Sequence, residues 1–281
     1  MTTSQISKAD RFKALHQGPR AFLIANAWDA GSARILAGLG FHALATSSGA
    51  SAGVLGKRDG QVTRDEALAN ARAIADATDL PVAGDLENGY GDSPEDAAET
   101  IRRAGTEAGL VGGSIEDSSR DPARPIYDFG HAVERVAAAV EAARALPVPF
   151  MLVARAENFL HGRPDLDDTI RRLQAFEAAG ADVLFAPGLT TAEQIGAVCA
   201  AVRRPVNVLV GLRGSPFSVD ELAALGVRRI SVGGSLTRAA LGAFVRAARE
   251  IADHGTFRYA ADALPSAEAD AMMRAEGTSR G

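Results

Sequence analysis

Eight short apolar runs punctuate the chain, and the residue that introduces each one follows an alternation that few folds require. The runs are Phe22 to Asn26, Ala43 to Thr46, Val82 to Asp85, Gly112 to Glu116, Phe150 to Arg155, Val183 to Ala186, Val206 to Val210 and Arg229 to Gly233. The second, fourth, sixth and eighth are entered through Gly40, Gly109, Gly180 and Gly226, where a preceding helix would end on a left-handed residue. The third, fifth and seventh are entered through Pro81, Pro149 and Pro205, at strand starts where a missing N–H is tolerated. Alanine-rich helical patterns fill most of the gaps, giving the βα alternation of a parallel α/β fold. An open sheet with a topological switch rarely sustains such a pattern over seven junctions. It predicts a closed (β/α)8 TIM-type barrel, and the 281 residues suit that fold's usual length of roughly 250. No linker rich in Pro, Gly or Ser divides the chain, so one domain over 1–281 is expected. Its helical extension begins at about residue 236, with Leu236, Ala240, Phe244, Ala247 and Ile251 on one face. Ser266 is a candidate helix cap, and the final "TSRG" reads as frayed.

Composition narrows the function classes. Thirty basic against 35 acidic side chains leave a formal charge of -5, with no broad basic field for nucleic acid or an anionic membrane. No apolar run approaches the roughly 18 residues of a membrane span, and the polar N-terminus does not read as a secretory signal. Cys199 is the single cysteine, so internal disulfides are excluded, and its small-residue helical context marks it as packed and inert. The five histidines form no HxxxH pair, which argues against zinc. A cytoplasmic location is expected.

In a barrel of this kind chemistry gathers at the carboxyl ends of the strands. The third run ends in Asp85, with Glu87 two residues on; an extended backbone would aim both at one spot. The fourth ends in Glu116 and Asp117, the fifth in Arg155, Glu157 and Asn158, and the second in Thr46, Ser47, Ser48 and Gly49. Asn207 stands near the start of the seventh. Neighbouring acids suit a hard divalent cation such as Mg2+, with Mn2+ as the alternative. The guanidinium and the serine loop suit a substrate carboxylate, with Arg155 as a bidentate clamp and Asn207 as a further substrate-binding candidate. Two duller readings stand beside these. Asp92-Ser93-Pro94-Glu95 reads as a helix cap, as could Glu116-Asp117, and Asp167-Asp168 with Arg171-Arg172 reads as a solvated helix face.

These residues together resemble the isocitrate lyase/phosphoenolpyruvate mutase superfamily. The resemblance runs from about Phe22 to Ala247. It rests on "DLENGYG" after the third strand, "IED" in the fourth, "ARAE" in the fifth, "LGKRDG" and "ATSSGAS". It implies a barrel with terminal helices swapped between subunits of a homodimer or homotetramer. It also implies Mg2+ held by Asp85, Glu87, Glu116 and Asp59, the last on the "LGKRDG" stretch. The implied substrate is a small 2-oxo or 2-hydroxy (di)carboxylate, with C–C or C–P bonds made or broken through an enolate. The sequence departs from the superfamily in three places. The loop after the fourth strand, "DSSRDPARPIYDFG", lacks the cysteine and histidine of the isocitrate and methylisocitrate lyases. Pro187 stands where relatives present a glutamate or histidine, and Glu87 replaces an aspartate.

The loop from Ser118 to Asp128 carries two Arg/Asp-Pro steps and follows Glu116 directly. It is expected to hang over the metal as a gate, with Arg120 or Arg124 supplying a cation to the chemistry. Three rival functions stay open. One is a C–P mutase or hydrolase; another is a phosphosugar aldolase or isomerase using "VLVGLRG" and "VGGSLTR" as phosphate loops. The third is a barrel that binds a 2-oxo acid without turnover.

Overall fold

The computed structural model describes residues 3–212 and 216–274. Arg213, Gly214 and the "TSRG" end lie outside the described residues. The eight strands are β1 Phe22–Asn26, β2 Leu44–Ala45, β3 Val82–Asp85, β4 Gly112–Glu116, β5 Met151–Arg155, β6 Val183–Phe185, β7 Val206–Leu209 and β8 Arg229–Ser231. They close in sequence order into one parallel barrel, with β8 returning to β1. The helices are α1 Thr3–Gln17, α2 Ala30–Gly38, α3 Ser48–Val54, α4 Arg64–Asp76, α5 Pro94–Thr106 and α6 Phe129–Arg144. They continue as α7 Leu166–Ala178, α8 Ala192–Ala201, α9 Val219–Ala224, α10 Ser235–His254 and α11 Ser266–Met272.

The junction glycines act as the sequence predicts. Gly40, Gly109, Gly180 and Gly226 adopt φ of 88°, 69°, 102° and 98°, a region open to glycine at little cost. Among the described residues, five helices begin with a full capping box, including α5, where Ser93 caps and Pro94 opens the first turn. The expected cap at Ser266 is displaced by one residue: Pro265 is the cap and Ser266 starts α11.

The core lies in two shells. Leu68, Ile74, Ile101, Phe176, Ile195 and Val198 of the helices pack on the outer faces of the strands. Inside the barrel, Val153, Val183 and Phe185 form a smaller cluster. Phe12 of α1 packs among strand-start residues Phe22, Ala43 and Val111, which closes the amino-terminal end. α10 is different. None of its residues is buried, and Leu241, Val245 and Ile251 are 40–51% exposed while Phe244 reaches 68%. Among the described residues, no helix is long and apolar enough to cross a membrane.

Candidate functional site at the carboxyl ends of the strands

Arg155 is the hub of the carboxyl-terminal face. Parallel pairing sets Glu116 of β4 against Arg155, so the last residues of β4 and β5 reach the same level. The guanidinium reaches three carboxylates: Nη1 donates to Asp85 at 2.8 Å, Nε donates to Glu157 at 2.9 Å, and Nη2 lies 3.1 Å from Glu116. It also lies 5.2 Å from the centre of the Phe185 ring. Burial works against its charge, but Glu116, Glu157 and Asp85 outweigh it and raise its pKa. Asp85 is held from both sides, since its second oxygen accepts the Ser48 N–H at 2.9 Å.

Glu87 reaches this cluster by an unexpected route. The extended backbone does not continue past Asp85; Glu87 has a φ of 49° and sits in a left-handed turn. Its carboxylate pairs with Arg120, whose guanidinium also lies 5.5 Å from the Tyr90 ring centre. Burial pushes the Glu87 pKa up to about 7, with Arg120 opposing and Asp85 and Asp59 reinforcing. Burial likewise raises the Glu116 pKa well above the usual carboxylate range, against the pull of Arg155. The Ser118–Asp128 loop is therefore pinned on two sides. Arg120 ties it to the β3 turn, and Ser118 Oγ lies 3.1 Å from His161 Nε2 in the loop after β5. It is braced by a single antiparallel bridge between Ser118 and Ile126.

Five residues sit differently from the sequence expectation. Arg124 does not join the site; it is 80% exposed and leans towards Asp121 at 3.6 Å. Asn207, second in β7, is buried inside the barrel, where it donates to Ser231 at 3.0 Å and does not line the cavity. Thr46 is also off the cavity, because its hydroxyl accepts the Asp85 N–H at 2.9 Å. Arg172 is not on a solvated face. It is buried and bonds Asp117 at 3.0 Å and Asp168 at 2.9 Å, and Asp117 in turn accepts the Glu157 N–H at 2.8 Å. Asp117 is thus a structural anion, not a helix cap, and its burial raises its pKa to about 6.

Beside this cluster opens a cavity of about 570 Å³. Asp59, Asp85, Arg155, Ser47, Ser48 and Gly49 line one side. Ser47 caps the short α3 with its backbone alone, so its hydroxyl is not spent on the helix. The Gly49 position is tight, since a Cβ there would sit 3.1 Å from an Asp59 oxygen. His161 is the site neighbour that sequence reading misses. Its only signal is position, in the loop that follows the strand bearing Arg155.

The donor set bears on the metal question. Asp59, Asp85, Glu87, Glu116 and Glu157 are five carboxylates against the two guanidiniums of Arg120 and Arg155. Oxygen donors in negative excess match a hard divalent cation. Among the described residues, however, no three such groups converge at a ready metal position. Arg155 lies between the acids, so a cation would compete with it for Asp85 and Glu116.

Comparison with known proteins agrees with this architecture. Residues 12–252 match the phosphoenolpyruvate phosphomutase family model. The chain is 32% identical to an oxaloacetate decarboxylase of Bradyrhizobium sp. (strain BTAi1 / ATCC BAA-1182), over 80% of this chain and 77% of that one. A solved structure from Burkholderia cenocepacia J2315, provisionally described as a lyase/mutase, is 56% identical with a TM-score of 0.93, covering 95% of this chain and 96% of that one. An oxaloacetate acetylhydrolase solved with its product oxalate is 25% identical with a TM-score of 0.85, covering 95% and 94% of the two chains. With its closed barrel and its family match over most of its length, the chain belongs to the isocitrate lyase/phosphoenolpyruvate mutase superfamily of enzymes.

Proposed function

We propose that this protein is a divalent-metal-dependent carbon–carbon lyase acting on a small 2-oxo or 2-hydroxy (di)carboxylate. The observation that carries the reading is Arg155, its side chain only 13% exposed, set among Asp85, Glu116 and Glu157 on the wall of an acid-lined cavity. The oxaloacetate-directed activities named for two relatives support the same substrate class.

Breaking a C–C bond beside a carbonyl pushes an electron pair towards an oxygen, so the site needs fixed positive charge where that oxyanion grows. Three carboxylates fix the plane of Arg155, and because they outnumber it the positive charge at that oxygen would come chiefly from a bound cation. Asp85, with Glu87, Glu116 and Asp59, would hold Mg2+ or Mn2+, and the bound cation would polarise the same oxygen. Glu116 holds Arg155 Nη2 at 3.1 Å and so helps keep the guanidinium in place beside the reacting centre. Ser47, Ser48 and Gly49 position the substrate's acid end along the cavity wall. Arg120, fixed over Glu87, orients the loop that shields this charge from water.

The exposed apolar face of α10 adds a partner. A second copy of the chain covers it, in a homodimer or homotetramer exchanging terminal helices. The test of function is a screen of oxo- and hydroxy-dicarboxylates with Mg2+, reading release of pyruvate, glyoxylate or CO2. Turnover of at least one diacid, abolished by EDTA, is expected. Failure across the whole panel would leave the barrel as a binder without turnover.

A further inference from the structure

Arg155 cannot be the cavity's whole answer to an anionic ligand. Its Nε, Nη1 and Nη2 are each already engaged by a carboxylate. One other described cation lines the cavity: Arg238, in the first turn of α10. It is exposed and, among the described residues, forms no ion pair or side-chain hydrogen bond. Topology sets the two arginines on different sides of the mouth, because β6 and β7 stand between β5, which ends in Arg155, and β8, which leads into α10. The wall also includes Trp28, Val54, Leu209, Leu212 and Leu241. A ligand filling the space therefore meets the polar groups around Asp85, apolar side chains, and a free guanidinium from α10.

We propose that Arg238 is the specificity-determining residue of this cavity. It takes a second anionic group, carboxylate or phosphonate, of a substrate whose first acid group lies at the Arg155 end. The inference rests on the oxo-acid reading of the cavity and adds which side chain reads the substrate's second acid group. A guanidinium fork matches either oxyanion bidentately and, unlike lysine, holds its orientation while doing so. Apolar walls contribute contact area without choosing between one acid and another, so discrimination falls to the charged contact.

Trp28 is the chain's only tryptophan and lines the cavity, so its fluorescence reports occupancy without any assay of turnover. The full-length protein with Mg2+ is titrated with lactate, malate, succinate and 3-phosphonopropionate. Malate is expected to bind at least about tenfold more tightly than lactate. In Arg238→Gln that preference should collapse to less than about twofold, and Arg238→Lys should restore only part of it. Because Arg238 is exposed, the variant is expected to melt like the parent, which circular dichroism checks. Comparing 3-phosphonopropionate with succinate tells which oxyanion the arginine prefers, and tight binding of either supports the proposal. Undiminished diacid preference in Arg238→Gln overturns the assignment of Arg238 while leaving the acid site intact. If no acid perturbs Trp28 in the parent protein, the reading of the cavity as an acid site falls, and this inference with it.

Discussion

At the scale of single residues, the site depends on side chains that never touch substrate. Arg172 neutralises Asp117, Asp117 holds the Glu157 backbone, and Glu157 fixes Arg155 Nε. Removing Arg172 strands a buried carboxylate. Arg172→Met should therefore cost about 3–5 kcal/mol in urea unfolding, the usual penalty for breaking one side of a buried pair. His16 offers a pH test remote from the site. It is packed between Phe12 and Phe22, and burial, helped by Arg229, lowers its pKa to about 3. The folded state thus keeps His16 neutral while the unfolded chain protonates it near pH 6.5. That stabilisation is present above pH 6.5 and is lost as pH falls towards 3. Between pH 7 and pH 5 the loss should be about 2 kcal/mol, from about 1.4 kcal/mol per unit. A His16→Leu variant should show a shallower acid slope in denaturant titrations over the same range. The carboxylates and Arg155 are legible in the sequence because chemistry at strand ends leaves unusual residue types there. Arg172 is not, since an Asp-x-x-x-Arg spacing on a helix looks the same whether the pair faces solvent or a buried acid. His161 is not legible either, because its partner Ser118 lies 43 residues away.

At the scale of elements, the turn after β3 decides where Glu87 points. The strand stops at Asp85, and Glu87, Gly89 and Tyr90 all take positive φ before Ser93 caps α5. Sequence alone suggests an extended continuation, because the alternating acids of "DLE" mimic strand periodicity and nothing local announces a left-handed glutamate. Gly89 is the weak point of that turn. Its φ is 83° and a Cβ would approach the Ala97 Cα to 2.9 Å, so neither strain nor contact can relax cheaply. Gly89→Ala should lower thermal stability by about 2 kcal/mol or more, combining a left-handed penalty with overpacking. The strands themselves are legible to within two residues at each end, since Gly and Pro punctuate them for reasons of backbone geometry. The loop from Ser118 is only half legible. Its prolines exclude regular structure, but they do not reveal that Arg120 points inward while Arg124 points out.

At the scale of the whole molecule, the barrel is complete within one chain and α10 is not. A 20-residue helix with Phe244, Val245 and Ile251 exposed is a large apolar surface for a chain alone in water. Sedimentation should find an oligomer, and Phe244→Asp should shift it towards monomer without unfolding the barrel. An unchanged sedimentation coefficient in that variant would detach α10 from assembly. The central claim, that the acids around Arg155 form a metal-dependent site, can be tested without knowing the substrate. Titration of Mn2+ followed by electron paramagnetic resonance counts free metal directly. One Mn2+ per chain is expected in the parent protein, displaced by Mg2+ and weakened at least about thirtyfold by Asp85→Ala. Equal Mn2+ affinity in parent and Asp85→Ala, or no bound Mn2+ in either, would contradict it.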